Sequence, residues 1–295
     1  MMQALPGEQP GSARQAGDRP AREPAGRHAL PHPALTAGRD ALRAEWLKLR
    51  TVSSSAWLLA GVVAVTVGVG AAVMAAGRCP AGTTCLADTA KLSLTGVQAG
   101  QAVVAVLAVL AIASEYSTGM IRTTLTAMPR RGVLLGAKAL LITVLSLAAA
   151  VVAVGASVLA GLLILPGHGF TAARGITGLS LADGPVLRAA TGSVLYLALI
   201  ALLSLGIATL VRDSAVAIGT ALGLLYLFPV VTAFVSNPVW QRRLERYSPM
   251  AGLNVQVTTG LKGLAIGPWA GLGVLAIWAA VALLAGGLAL QLRDA

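Results

Sequence analysis

Charged side chains are scarce in this sequence: Asp, Glu, Lys and Arg make up 11% of its 295 residues, where an ordinary soluble domain carries roughly 25%. With 56% hydrophobic residues and a mean hydropathy of +0.79, that shortage excludes an ordinary soluble domain and points to an integral membrane protein. Cysteine is limited to Cys79 and Cys85, and histidine to His28, His32 and His168. These are too scattered for zinc-finger or zinc-protease ligand spacing, so no metal site is expected. Aromatic residues, at 4%, are too few to build broad stacking platforms for bases or sugars. Acidic residues are the scarcer sign, 11 against 22 basic, for a net charge of +11. Long uncharged runs separate these charges, so no continuous basic surface is expected and nucleic acid is not an expected partner.

Long apolar runs are what the chain has in quantity. A membrane-crossing helix needs about 20 apolar residues, because a rise of about 1.5 Å each must cover roughly 30 Å of hydrocarbon. Six stretches meet that requirement: Ala56–Ala76, Leu92–Ala113, Ala139–Leu165, Ala189–Val211, Ser214–Val235 and Trp269–Leu290, none containing Lys, Arg, Asp or Glu. The expected fold class is therefore an all-α integral membrane protein with six transmembrane helices. Only Arg212 and Asp213 separate the fourth span from the fifth, which predicts a tight helical hairpin with its charged tip at one membrane face. Six spans put both termini on one side. Lys and Arg number fourteen on that side against eight on the other, which favours cytoplasmic termini. The placement expected is a multi-pass protein of the bacterial plasma membrane. Trp57, Tyr116 and Trp269 sit at span ends, as belt aromatics do. Pro229 is expected to kink the fifth span. Gly219 with Gly223 and Gly267 with Gly271 have small-x-x-x-small spacing, which predicts close helix contacts, with a dimer seam as the alternative.

Between and before the spans lie four further segments. Residues 1–38 hold six of the fourteen prolines and no apolar run, so a disordered cytoplasmic tail is expected there, without the apolar core of a cleavable signal. In Arg39–Arg50, Leu42, Trp46 and Leu49 fall on one helical face beside Arg39, Arg43 and Arg50. This predicts an interfacial helix whose Arg43, Lys48 and Arg50 reach lipid phosphates, with Trp46 at headgroup depth; a basic flank that only sets topology is the other reading. After the second span, residues 114–131 pass from a polar patch to Ile121, Leu125 and Met128 at helical spacing, with Gly119 before them and Pro129, Arg130 and Arg131 behind. A short amphipathic helix on the cytoplasmic face fits that pattern, and a plain connecting loop is the alternative. Cys79 and Cys85, with five residues between them including Pro and Gly, can close a small disulfide ring on the oxidising side or remain two separate thiols. Thr95, Gln98 and Gln101 recur every three residues along the second span; they line a substrate path or hydrogen-bond between helices.

Three strings carry a resemblance: RAEWLKLR before the first span, TGVQAGQAVVAVLAVLAIASEYSTGMIRTTLTAMPRRGVLLGAKAL across the second span and its following loop, and the final LRDA. Over about Arg39–Ala295 the chain resembles the permease subunits of bacterial type-2 ATP-binding-cassette exporters, and SEYSTGMIRTTL is the specific part. The resemblance implies six spans per permease, two permeases paired around the substrate path, in this case a homodimer, and two copies of a cytoplasmic ATPase docked beneath. It implies a coupling element that fits a cleft on the ATPase, matching Glu115, Tyr116, Ser117, Thr118, Met120, Ile121, Arg122 and Leu125, with a second contact at Arg212 and Asp213. On this reading Glu115 and Arg122 make charge-assisted hydrogen bonds to the ATPase, while Ile121 and Leu125 anchor it. The interrupted stretch Met250–Ile266 resembles the family's short re-entrant helices before the sixth span. In domain terms, residues 39–295 would be one permease domain behind the tail.

The chain has no G-x-x-x-x-G-K-[ST] phosphate cradle; Gly132–Lys138 comes nearest and lacks the Gly-Lys-Ser order. No cofactor is expected on this chain, then, ATP and Mg being used by the partner. It is not expected to be an enzyme, and no catalytic residues are assigned. Ionisable residues, common inside the spans of proton- or sodium-driven transporters, are missing from the six stretches. A membrane-embedded enzyme would need paired acids, a His cluster or an activated nucleophile near one face. The alternative that survives is a non-transporting membrane scaffold or an immunity-type resistance protein.

Overall fold

In the computed structural model the described residues are 42–43, 46–47, 53–79, 87–117, 119–120, 131–171, 179–180 and 182–293. The expected tail, residues 1–38, lies outside them. Among the described residues, eight α-helices with defined bounds follow in chain order: α1 Ser53–Ala76, α2 Thr89–Leu94, α3 Val97–Ser117, α4 Arg131–Ile164, α5 Gly184–Val211, α6 Ser214–Phe234, α7 Pro238–Tyr247 and α8 Pro268–Arg293. Shorter 3-10 segments cover Pro166–His168, Pro249–Gln256 and Leu261–Gly263, and no strand occurs among the described residues. Six helical stretches are long and apolar enough to cross a membrane: α1, the α2–α3 pair, α4, α5, α6 and α8.

The helices overrun the apolar stretches that predicted them. α4 is 34 residues long, about 51 Å against roughly 30 Å of hydrocarbon, so several of its turns stand beyond the apolar layer. Lys91, Glu115, Arg131, Lys138 and Arg188 consequently lie inside helices rather than between them. Helicity continues past the hydrocarbon because backbone hydrogen bonding does not stop where apolar side chains do. The turn between α5 and α6 is as tight as predicted: Arg212 closes α5 with a left-handed backbone, φ 66°. Asp213 then caps α6 by accepting the Val216 N–H at 2.8 Å.

α5 is the centre of the bundle. Of its most apolar window 67% is buried, against 61% for the second span and 17% for α6. It packs against α3, α4, α6, α8 and the Pro249–Gln256 segment. Between apolar helices in lipid the attraction comes from close packing rather than from hydrophobic exclusion, and the glycines show where it is closest. A Cβ on Gly206 would fall 2.5 Å from the Ala282 carbonyl carbon, and one on Gly286 only 1.8 Å from Thr209 Oγ1, so α5 and α8 touch backbone to backbone. Gly96 and Gly100 form a second seam: Cβ atoms there would meet Thr66 of α1 at 1.8 and 2.0 Å. The second span breaks at Thr95–Gly96 beside that approach.

The small-residue pairs singled out by spacing behave differently. Added Cβ atoms at Gly219, Gly223 and Gly267 would meet nothing within 4 Å, whereas one at Gly271 would lie 2.1 Å from the Ala251 carbonyl oxygen. Gly219 and Gly223 therefore do not make the expected close contacts, because α6 turns its Ala217, Ala221 and Leu225 face inward instead. Pro229 lies inside α6, where it removes the hydrogen bond to the Leu225 carbonyl.

The segment before the last span enters the bundle. A Cβ on Gly252 would lie 2.7 Å from the Tyr196 ring, and Tyr196 is twelve residues into α5, about 18 Å along its axis. Ala251 meets α8 at Gly271 on the way back. Backbone at such depth must be covered by protein. Here Ala251, Gly252, Val255 and Gln256 are buried, Gln256 Nε2 donates to Ser193 Oγ at 3.1 Å, and Asn254 Nδ2 to the Ile266 carbonyl at 3.3 Å.

Candidate functional site

Charge is rare in this molecule, so its gathering places stand out. One lies where α3 ends, α4 begins, α5 turns into α6 and α8 ends. Lys138 Nζ meets Glu115 Oε1 at 2.8 Å with both side chains buried, and it also donates to the Ala111 carbonyl at 3.2 Å. At low dielectric an unpaired buried ion is very unfavourable, so the two charges specify one another. At the next residue of α3, the Arg212 guanidinium lies 5.5 Å from the centre of the Tyr116 ring. Arg212 also donates to the Ala289 carbonyl at 3.1 Å, and Arg131 to the Leu290 and Gln291 carbonyls at 2.9 and 3.1 Å. Two cations from distant parts of the sequence thus cap the negative end of α8. This end of the bundle is tied together across the second, third and sixth spans and the α5–α6 turn.

Glu115 and Tyr116 are therefore placed differently from a coupling surface: both face inward and bind neighbouring helices, because Lys138 and Arg212 offer each a partner inside the bundle. Ser117 ends α3, and Met120 is 47% exposed. Thr118, Ile121, Arg122 and Leu125 lie outside the described residues. Asp213 is exposed while it caps α6. In the N-terminal segment Leu42, Arg43, Trp46 and Leu47 are helical, with Trp46 46% exposed; Lys48 and Arg50 lie outside the described residues.

Thr95, Gln98 and Gln101 do not share one face. The Thr95 hydroxyl donates to its own helix at the Lys91 carbonyl, and the Gln98 side chain is exposed while its carbonyl accepts from the Tyr226 hydroxyl at 2.7 Å. Gln101 is buried and accepts a short hydrogen bond from the Tyr196 hydroxyl. Sequence reasoning missed Lys138, Arg131 and Tyr196. Lys138 had a legible signal, since it and Glu115 flank the same connecting segment with opposite charge.

The opposite end of the bundle is held by a carboxylate and a guanidinium that bond to neutral groups rather than to each other. Asp88 caps α2 through the Lys91 N–H at 3.0 Å. It also accepts the Thr258 hydroxyl at 2.7 Å and the Thr258 and Thr259 N–H groups. Burial pushes this carboxyl up, but the hydrogen bonds outweigh it and hold the group below its ordinary value. Arg188 donates to the Val257 carbonyl at 2.7 Å. Cys79 is disulfide-bonded, its N–H donates to the His168 carbonyl at 3.0 Å, and Cys85 lies outside the described residues. A cleft of about 220 Å³ sits between Pro229, Glu245, Asn254 and Leu264. Among the described residues no three His, Cys, Asp or Glu side chains gather as a metal site.

No protein-family model matches this chain, and no curated protein matches it. What the fold and its charge clusters define is a class: a multi-pass helical membrane protein with six candidate spans.

Proposed function

We propose that this chain is the permease subunit of a primary exporter: it forms the substrate path and is driven by a separate cytoplasmic ATPase. The working assembly is a homodimer of this chain with two ATPase copies, both termini are cytoplasmic, and ATP and Mg act only in the partner. The resemblance of SEYSTGMIRTTL and its flanks carries the family. The observation that supports the mechanism is the charge cluster on both sides of that string.

Helix α3 leads into the string and α4 leads out of it. Glu115 on the first and Lys138 on the second are locked at 2.8 Å, Tyr116 sits under Arg212, and Arg131 holds the end of α8. A force applied to residues 118–130 thus reaches three spans and the α5–α6 turn as one body, which is what rigid-body coupling to a moving partner requires. On this reading Glu115 and Tyr116 position the coupling segment, and the direct contacts fall to Met120, Ile121, Arg122 and Leu125, with Asp213 at the hairpin tip.

The test is affinity purification of the tagged chain from its native membrane in mild detergent, with mass spectrometry and an ATPase assay on the eluate. A stoichiometric ATP-binding-cassette ATPase is expected, and Arg122→Glu with Leu125→Asp should release it while membrane insertion stays intact. An ATPase-free chain from intact complexes would overturn the reading in favour of a scaffold or resistance protein.

A further inference from the structure

Spans α4, α5 and α8 do not close on one another completely. They leave a groove of about 360 Å³ between Thr143 and Leu147 of α4, Leu195, Ala198, Leu199 and Leu202 of α5, and Trp269, Leu272, Gly273 and Ala276 of α8. The α5 and α8 residues each follow the i, i+3, i+4, i+7 pattern of a single helix face. The one hydroxyl in the lining, Thr143 Oγ1, already donates to the Ala139 carbonyl at 2.7 Å, so the wall offers no free polar group. Leu195, Gly273 and Trp269 are exposed on it, and all three helices are membrane-spanning candidates. A groove with those walls, in those segments, opens on the bilayer and takes hydrocarbon.

Its upper end is not neutral. Arg188 precedes Leu195 by seven residues, two turns of α5 on the same face and about 10 Å along the axis, and helical side chains lean back toward that end. Arg188 uses one nitrogen on the Val257 carbonyl. Its Nε is buried and out of a ligand's reach, but its other terminal nitrogen has no hydrogen bond and it makes no ion pair among the described residues. The carboxylate of Asp88 accepts from the Lys91, Thr258 and Thr259 backbone N–H groups and the Thr258 hydroxyl and makes no ion pair with Arg188. Trp269 opens α8 at this same end, as an aromatic at headgroup depth does. From Arg188 to Leu202 is fourteen residues, about 21 Å, enough for one leaflet's share of a hydrocarbon layer of about 30 Å.

We infer that this groove binds one anionic phospholipid, its phosphate paired with Arg188 and an acyl chain lying along Leu195, Leu199, Leu202 and Gly273. A guanidinium with one unused terminal nitrogen above a dry apolar channel matches a phosphate joined to a chain. The site is independent of the transport reading.

The test uses the full-length chain purified without partner in mild detergent and read by native mass spectrometry. Phosphatidylglycerol, phosphatidylcholine or glycerol phosphate is added in turn. One phosphatidylglycerol per chain should be retained in preference to phosphatidylcholine. Arg188→Gln should lower that retention about tenfold, the loss of one charge-assisted pair. Gly273→Leu, which places a side chain where a Cβ meets nothing within 4 Å, should lower retention of both lipids, and Ala276→Leu should do the same if Arg188→Gln does not fold. Equal retention of the two lipids by the wild type, unchanged retention in both groove variants, or full competition by glycerol phosphate would overturn the proposal. Capture of the ATPase bears only on the transport reading.

Discussion

The two ends of the bundle are held together by different chemistry. At the Glu115 end, a buried ion pair joins α3 to α4, and two arginines bind the last carbonyls of α8. At the Asp88 end no ion pair is found among the described residues: one partly exposed carboxylate, the Arg188 guanidinium on a carbonyl and a neutral hydrogen bond fasten the segment before α8 to α2 and α5. Removing one partner of a buried ion pair strands a charge where water cannot reach. Removing Asp88 leaves Thr258 and Thr259 groups that lie partly exposed, where water can satisfy them at small cost. The first end should therefore move as a block, and the second should open locally.

Breaking the block should have the largest effect. Lys138→Met leaves the Glu115 carboxylate buried without its ammonium partner, and about 3–5 kcal/mol of stability should be lost in a detergent unfolding assay. Glu115→Leu combined with Lys138→Met should recover most of that loss. If the double variant is no better than the single one, the pair is not the tie it is taken for.

Arg212 separates contact from strain. Arg212→Ala loses the Tyr116 and Ala289 contacts but keeps an unfavourable φ of 66°, and about 1–3 kcal/mol should go with it. Arg212→Gly loses the same contacts but relieves about 1 kcal/mol of backbone strain. In the same assay the glycine variant should be the more stable of the two.

The Asp88 tie gives the comparison a pH dependence. Its folded value lies below the ordinary 3.8, so its contribution is fully present above about pH 4 and is lost as pH falls through the lowered value. Hydrogen exchange of Thr258 and Thr259 should accelerate below pH 4. Asp88→Asn should show that faster exchange already at neutral pH, with a local loss of about 1–2 kcal/mol. The smallest effect belongs to Ser193→Ala, which deprives Gln256 Nε2 of its acceptor and should cost about 0.6 kcal/mol, typical of a hydrogen bond between membrane helices.

Much of this was legible in the residues themselves. The six spans follow from the length of the apolar runs and the α5–α6 hairpin from the two-residue Arg212-Asp213 link, while the re-entrant segment between Met250 and Ile266 is suggested by the family resemblance. The candidate site was legible only in part. Glu115, Tyr116 and Arg212 stand out as polar residues at span ends, but their inward direction depends on Lys138 and on the end of α8, 23 and more residues away. The glycines make the same point. Gly96-x-x-x-Gly100 and Gly219-x-x-x-Gly223 have identical spacing, yet one clasps Thr66 and the other faces open space.

The sequence by itself determined that this chain lives in a bilayer, how many times it can cross, and where its turns fall, because those properties depend on hydrophobic length and local backbone chemistry. Only the tertiary structure decided which helix is central, which small-residue pairs touch, and which charges meet. In lipid every apolar face is equally acceptable, so composition does not say which face a helix buries; shape and a few polar partners from distant parts of the chain do.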